Sequence, residues 1–348
     1  MTSIDHTRAT VEQRSEFDTL IDARSPAEFA EDHIPGAINC PVLDNEQRII
    51  VGTLYKQSSP FDARKVGAVL VARNVANYIE QYFADKPKGW KPLVYCWRGG
   101  QRSGAFTHIL REVGWSAKRL QGGYKSWRHH VIEQLDALPG ALRFTVVAGP
   151  TGSAKTRVLE AMHRQGHQVL NLEALAQHKG SVLGGLPGQP QPSQKMFETL
   201  VHAELTRFDP ARPVFVESES KKVGQLRVPD AVFQGIQTGT WVRVEASMEQ
   251  RVQYLLRDYD YFLSGPELET QLDRLKELCG GETVNRWKSL VVARDFQTLV
   301  SELLSQHYDR FYNRSMNHHA EAAAPHTRFT ADDLSDAGIE ALARAIAA

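Results

Sequence analysis

Apolar positions in the first 138 residues form short runs that alternate with stretches of helical period. Residues 1–15 read as a loose lead-in. Phe17–Ile21 has the length and make-up of a strand. Ser25 followed by Pro26 marks a helix start, a cap and then proline in the first turn. His33-Ile34-Pro35-Gly36 turns the chain toward another short strand. Residues 44–57 are polar and read as irregular, whereas Val66, Val69, Leu70, Val75, Ile79 and Phe83 recur at helical spacing. Leu93–Tyr95 is a strand. Ala105, Phe106, Ile109, Leu110 and Val113 predict a helix that Gly114 stops. Arg119–Tyr124 predicts a short strand and tight turn, and 126–138 a closing helix. Alternating strands and helices imply a parallel sheet. Pro139-Gly140 reads as a linker, which divides the chain into 1–138 and 139–348.

The second part opens in the same way. Arg143–Ala148 is a strand, followed by a Gly-rich turn and a helix from Lys155 toward Arg164. Val214–Glu217 is a further strand. From about residue 247 the pattern is helical and charged, with helices expected over Arg251–Tyr261 and Glu267–Leu278. Leu268, Leu272 and Leu275 share one face of the latter, a stripe most simply explained by core packing. Thr327–Thr330 predicts a last strand, and the alanine-rich tail from Glu321 a terminal helix. The expected class is α/β, two parallel-sheet domains with a helical C-terminal part.

Composition narrows the function. The 348 residues suit two domains. Lysine plus arginine equals aspartate plus glutamate at 41 each, so no global field points to a polyanion. Cys40, Cys96 and Cys279 are far apart and form no CxxC pair. That argues against a disulfide framework or zinc site, and for a reducing, cytoplasmic setting. Met1–Arg14 has no apolar core of a signal peptide, and no run reaches the ~18 apolar residues of a membrane span.

Two stretches carry chemistry. In Cys96-Trp97-Arg98-Gly99-Gly100-Gln101-Arg102-Ser103, a cysteine ends a strand and faces a helix N-terminus, with Ser103 where an N-cap would stand. Arg98, Arg102 and the helix end favour the thiolate, the nucleophilic form. Gly99 and Gly100 let backbone amides turn toward an anion. The plainer alternative is a buried structural cysteine. In Gly149-Pro150-Thr151-Gly152-Ser153-Ala154-Lys155-Thr156, strand, Gly-rich turn and helix read as a phosphate-binding loop, the plainer alternative being a Gly-rich turn without a ligand, with Ala154 where the G-x-x-x-x-G-K-[ST] pattern has glycine. Gly149, Thr151, Gly152, Ser153, Lys155 and Thr156 are the candidate diphosphate ligands. Glu217 has a metal or substrate role, with magnesium a candidate ion, or is a strand-end surface residue. His178–Gly185 and Gln191–Glu198 are Gly/Pro/Ser-rich and basic and read as one long loop, a substrate lid or a flexible insertion, with His178 and Lys179 as candidate site residues. Arg207, Arg212, Lys221, Lys222 and Arg227 are candidate contacts to RNA phosphates or scattered surface charge of a neutral chain, and Arg286-Trp287-Lys288 is a basic-aromatic cluster. Asp22 and Arg24 read as a structural ion pair. No residue is assigned to a resident metal, and no firmly bound cofactor is expected.

Asp22-x-Arg24 with Glu28-Phe29, His33–Asn39, the Cys96 loop and Gln121-Gly122-Gly123-Tyr124-x-x-Trp127 together resemble the rhodanese domain. The resemblance covers about residues 15–135 and places Cys96 at the family's sulfur-carrying cysteine. The C-x5-R spacing from Cys96 to Arg102 resembles that of cysteine phosphatases and leaves room for a phosphate-sized oxyanion. Followed by a P-loop domain, and with Val51–Gln57, His178–Ser181 and Gln191–Lys195, the whole chain resembles the tRNA 2-selenouridine synthase family. That resemblance implies replacement of sulfur by selenium at the wobble 2-thiouridine of tRNA through an S-geranyl intermediate. Its substrates would be geranyl diphosphate and selenophosphate, with a selenophosphate-producing enzyme as a candidate partner. It implies catalysis by Cys96, with selenophosphate held or selenium carried at the Cys96 loop, and the geranyl donor's diphosphate held at the P-loop. Two other readings remain: a rhodanese-type sulfurtransferase or cysteine phosphatase, and a P-loop kinase or NTPase with a regulatory rhodanese module.

Overall fold

The computed structural model describes residues 6–181, 183–186, 188–218, 220–258, 268–310, 312 and 327–348. Parts of the sequence expectations lie outside the described residues: Met1–Asp5, Val182, Glu219, Tyr259–Tyr261, Glu267 and Glu321–His326. The chain forms two compact units, one of Met1–Gln134 with Ser193–Ala203, the other of Leu135–Pro192 with Glu204–Ala348. Pro139-Gly140 lies in a 3-10 turn, Leu138–Ala141, in which Pro139 is buried.

The first unit is built on five parallel strands, β1 (Arg8–Ala9), β2 (Thr19–Asp22), β3 (Ile38–Asn39), β4 (Pro92–Tyr95) and β5 (Lys118–Leu120), in the order β1-β5-β4-β2-β3. The expected lead-in thus supplies an edge strand. β4 is buried at every position, as a central parallel strand covered on both faces must be. Around the sheet run α1 (Pro26–Glu31), α2 (Asn45–Gln57), α3 (Pro60–Tyr78), α4 (Gln101–Glu112) and α5 (Gly123–Ala137). α1 starts in a capping box formed by Ser25 and Glu28. α2 occupies the stretch expected to be irregular. Its Asp44 cap and reciprocal Gln47 satisfy the first turn, yet it has no fully buried residue, so its apolar period is weak in the sequence. A downstream helix, α8 (Gln194–Leu205), packs its first part in this unit. Arg128 pairs with Glu198, Lys195 Nζ lies 2.7 Å from Glu31, and His202 meets Trp127 edge-on.

The second unit holds β6 (Arg143–Ala148), β7 (Gln168–Leu170), β8 (Pro213–Glu217), β11 (Thr240–Glu245) and β12 (Thr327–Thr330) in one parallel sheet, ordered β12-β11-β6-β8-β7. β9 (Lys222–Val223) and β10 (Leu226–Arg227) form a separate antiparallel pair. α6 (Lys155–Arg164), α7 (Leu172–Ala176), α9 (Asp230–Gln237), α10 (Met248–Asp258) and α15 (Asp336–Ala347) complete this α/β layer. A helical cluster follows, α11 (Leu268–Asp273), α12 (Lys276–Cys279), α13 (Gly281–Val292) and α14 (Phe296–Leu303). There Leu268, Leu272 and Leu275 are core, as their stripe predicted. The basic-aromatic cluster Arg286-Trp287-Lys288 is tied into the structure. Trp287 is buried in this core, Arg286 forks onto Glu302, and Lys288 pairs with Asp273.

Candidate functional site

Both parallel sheets place their candidate chemistry where ligands of open α/β sheets bind, at the C-terminal ends of strands. In the first unit β4 ends at Tyr95, and Cys96 begins the loop with its side chain buried. Helix α4 begins at Gln101, with Gly100 rather than Ser103 as its N-cap. The loop turns at Gly99, φ +65°, so the helix starts earlier than the serine suggested. Ser103 lies in the first turn, where its Oγ sits 3.2 Å from Cys96 Sγ.

The loop is pinned from below. The Cys96 and Trp97 carbonyls accept the amides of Tyr124 and Lys125 at 2.8 and 3.0 Å. Gly123, φ +64°, lies against them so closely that a Cβ there would clash with the Cys96 carbonyl and the Gly99 nitrogen. Tyr124 donates to Asp32 Oδ2 at 2.7 Å and stacks on Trp97. Beneath, Arg24 and Asp22 form the expected ion pair, fully buried at 2.6 Å, with the guanidinium lying over the Tyr124 ring. Asp22, Arg24, Gly123 and Tyr124 of the resemblance motifs thus form one buried support under the cysteine.

Of the loop cations, Arg98 is exposed and pairs with no described residue. Arg102 is engaged, its Nη1 2.7 Å from Glu28 Oε2. Burial raises the Glu28 pKa, but the Arg102 hydrogen bond and charge outweigh it and hold the carboxyl below its ordinary value.

In the second unit β6 runs into the Gly149–Ala154 loop and α6 starts at Lys155. Close approach makes Gly149 necessary, since a Cβ would lie 2.6 Å from both Ser153 Oγ and the Val244 carbonyl. Ser153 is buried, and its Oγ donates to the Pro150 carbonyl at 2.8 Å. Gly152, φ +84°, lies under α10 beside Arg251. Arg251 donates to the Thr151 carbonyl at 2.8 Å and is itself clamped by Asp309 at 2.6 and 3.0 Å. Ala154, the departure from glycine, adopts φ +60° with its methyl buried in the core.

β8 lies beside β6 with Glu217 opposite Val147, which brings its carboxylate to the loop. Lys155 Nζ is 3.3 Å from Glu217 Oε1. Thr156 Oγ1 lies 3.0 Å from Glu217 Oε2 and 3.0 Å from Glu173 Oε2. Glu173, on α7 after β7, escaped the sequence reading. Burial, then repulsion from Glu217, pushes its pKa up to about 8, against the pull of Thr156, Lys155 and Lys179. An acidic residue in the first turn of a helix looks ordinary, and only its place at the end of a strand could have marked it. His178 donates its amide to the Glu173 carbonyl, and its ring packs beside Gly184 and Gly224. Its pKa is lowered by burial and by Arg274. Gln191 ties this segment down through the Ala176 and Val223 carbonyls.

A family model described as "tRNA 2-selenouridine synthase AAA domain" matches residues 142–276, and the rhodanese-like domain model matches 7–130. A tRNA 2-selenouridine synthase of Alcanivorax borkumensis is 36% identical over 75% of this chain and 76% of its own length. The chain belongs to the tRNA 2-selenouridine synthase family. A Marinobacter nauticus member is 29% identical over 84% of this chain and 87% of the relative. The Nitrosomonas europaea member is 36% identical over 69% of this chain, a match that spans 63% of that relative's length. The rhodanese-like match lies within the first unit, and the AAA-domain match lies in the second apart from Ser193–Ala203, which the first unit holds. No described helix is long and apolar enough to cross a membrane.

Proposed function

We propose that the chain makes 2-selenouridine at the wobble position of thiolated tRNA, exchanging sulfur for selenium through an S-geranyl intermediate. The observation that carries this reading is the pairing, in one chain of this family, of two unlike strand–loop–helix turns suited to anions. One is a cysteine loop, the other a lysine-threonine phosphate loop. A phosphatase or simple sulfurtransferase needs only the first.

In the first step the uridine sulfur attacks C1 of geranyl diphosphate, the C–O bond breaks and diphosphate leaves. Lys155, Thr156 and the first amides of α6 hold the departing charge, as helix N-termini do for phosphates. Thr156, Glu217 and Glu173 offer the hard oxygen ligands that magnesium takes beside a diphosphate. If bound, the ion would neutralise charge on the leaving group.

In the second step Cys96 attacks phosphorus of selenophosphate, the P–Se bond breaks, and hydroselenide leaves with the electron pair. Hydroselenide then attacks C2 of the alkylated uridine, its proton ends on N3, and the C2–S bond breaks to release geranyl thiolate, which takes a proton from water. Water cleaves the phosphocysteine to phosphate. Arg98, Arg102 and the start of α4 face the oxyanion. Alkylation matters because a thiol leaves more readily than sulfide.

The test is mass spectrometry of nucleosides from thiolated tRNA incubated with the protein, geranyl diphosphate and selenophosphate. S-geranyl-2-thiouridine followed by 2-selenouridine is expected. Absence of the selenonucleoside overturns the reading.

A further inference from the structure

The α2–α3 hairpin of the first unit buries little and exposes much. α2 keeps Gln47, Val51 and Leu54 half-buried on its inner side. Val51 packs on α3 at Gly67, where an added Cβ would lie 3.5 Å from it. α3 buries Ala63, Gly67, Val71 and Val75. Left outside are Ile49 (68% exposed), Ile50 (51%), Tyr55 (59%), Phe61 (62%) and Val69 (58%). Large apolar side chains gathered this way on one surface element mark an interaction site.

Charge selects the occupant. Residues 45–78 carry five bases, Arg48, Lys56, Arg64, Lys65 and Arg73, against Glu46 and Asp62, a net of +3 in a chain of net zero. Lys65 is neutralised by Asp62 at 2.7 Å, and Arg64 is tethered to the Pro60 carbonyl. Arg48, Lys56 and Arg73 pair with no described carboxylate. A second copy of the chain docking through the same face would press this net-positive patch onto its own copy, since an isologous contact uses one patch twice. A single-stranded RNA loop supplies the opposite, phosphates for the cations and unstacked bases for aromatic faces.

We propose that the α2–α3 hairpin is the docking face for the unpaired anticodon loop of the tRNA, with Tyr55 and Phe61 stacking on bases and Lys56 and Arg73 meeting phosphates. This rests on the tRNA reading given above. None of these side chains belongs to the Cys96 loop or the P-loop, so they give the substrate RNA a separate grip.

Fluorescence anisotropy with a thiolated anticodon stem-loop and with a fully paired duplex of the same length tests it. Tyr55→Ala/Phe61→Ala should weaken the stem-loop by roughly tenfold or more and leave the duplex unchanged. Lys56→Glu/Arg73→Glu should weaken both and reduce the salt slope by roughly two. Unaltered melting curves for both variants exclude misfolding. Stem-loop binding that both variants retain overturns the docking face while the tRNA reading stands. A wild-type protein that binds no stem-loop overturns both. A concentration-dependent dimer that Tyr55→Ala/Phe61→Ala abolishes, with RNA binding intact, assigns the face to a second copy and overturns the proposal.

Discussion

Glu28 Oε2 holds two donors at once, the Ser25 amide at 3.1 Å and Arg102 Nη1 at 2.7 Å. One carboxylate therefore closes the cap of α1 and steadies the arginine at the start of α4. Glu28→Ala should raise the KM for selenophosphate roughly tenfold, since an unfixed guanidinium forfeits a charge-assisted contact of about 1.5–3 kcal/mol. The geranylation step should be unaffected. Arg102→Lys should act in the same direction, because lysine lacks the planar fork. Steady-state kinetics with each substrate varied separately checks this. An equal loss in both steps would mean that Glu28 serves folding alone.

The two stations should separate by mutation. Cys96→Ser should abolish selenium incorporation and phosphate release from selenophosphate while S-geranyl-2-thiouridine still accumulates. Lys155→Ala removes the cation beside Glu217 and should lower geranylation by at least about a hundredfold, the scale for losing one charge-stabilising donor. Quantifying both nucleosides from each variant checks the split.

His202 is a built-in pH probe. It is buried against His130 and Trp127, and neither ring nitrogen finds a described partner. Burial, then the charges of His130 and Arg14, bring its pKa down to about 4. An unfolded histidine titrates near 6.5, so on acidification the unfolded chain takes the proton first. The stability from neutral His202 is complete above about pH 6.5 and is lost as pH falls toward 4, at a slope no steeper than roughly 1.4 kcal/mol per unit. Urea unfolding at pH 7.5 and 5 should show this drop in the native protein and a smaller one in His202→Leu.

Ala154 and Gly123 share a left-handed backbone but should respond oppositely to substitution. Ala154→Gly relieves a strain of about 1–2 kcal/mol. It also loses a buried methyl worth about 0.8 kcal/mol and adds unfolded-state entropy of about 0.5–1 kcal/mol. The net change should stay within about 1 kcal/mol. Gly123→Ala combines the same backbone strain with a clash against the Cys96 carbonyl. It should cost more than about 2 kcal/mol, and selenium incorporation should fall with it. Denaturant titration of the two variants checks the contrast.

Both candidate loops could be read from the sequence because each is a contiguous strand, turn and helix, so its residues meet through local geometry. Glu173 could not, since it reaches Thr156 from 17 positions downstream by way of another strand. Glu28 was visible as part of a motif, but its partner in α4 was not. α2 escaped because its strongest apolar residues face outward, although Asp44 and Gln47 spelled a capping box. Ser103 misled because a serine beside a helix start suits a cap, and only the turn at Gly99 shows where the helix begins. Arg286-Trp287-Lys288 read as a basic-aromatic cluster, and the pairing of its cations with Glu302 and Asp273 depends on how neighbouring helices pack.

The first unit takes Ser193–Ala203 from far down the chain. During synthesis, residues 1–134 emerge well before that helical segment, and residues 135–192 must be translated in between. At 5–20 residues per second the wait is roughly 3 to 12 s. Over that interval the surface around Trp127, Arg128 and His130 lacks the helix that later covers it. The first unit is therefore completed only after the P-loop of the second has already been made, and a chain cut after Gln134 would lack the helical segment that covers this surface.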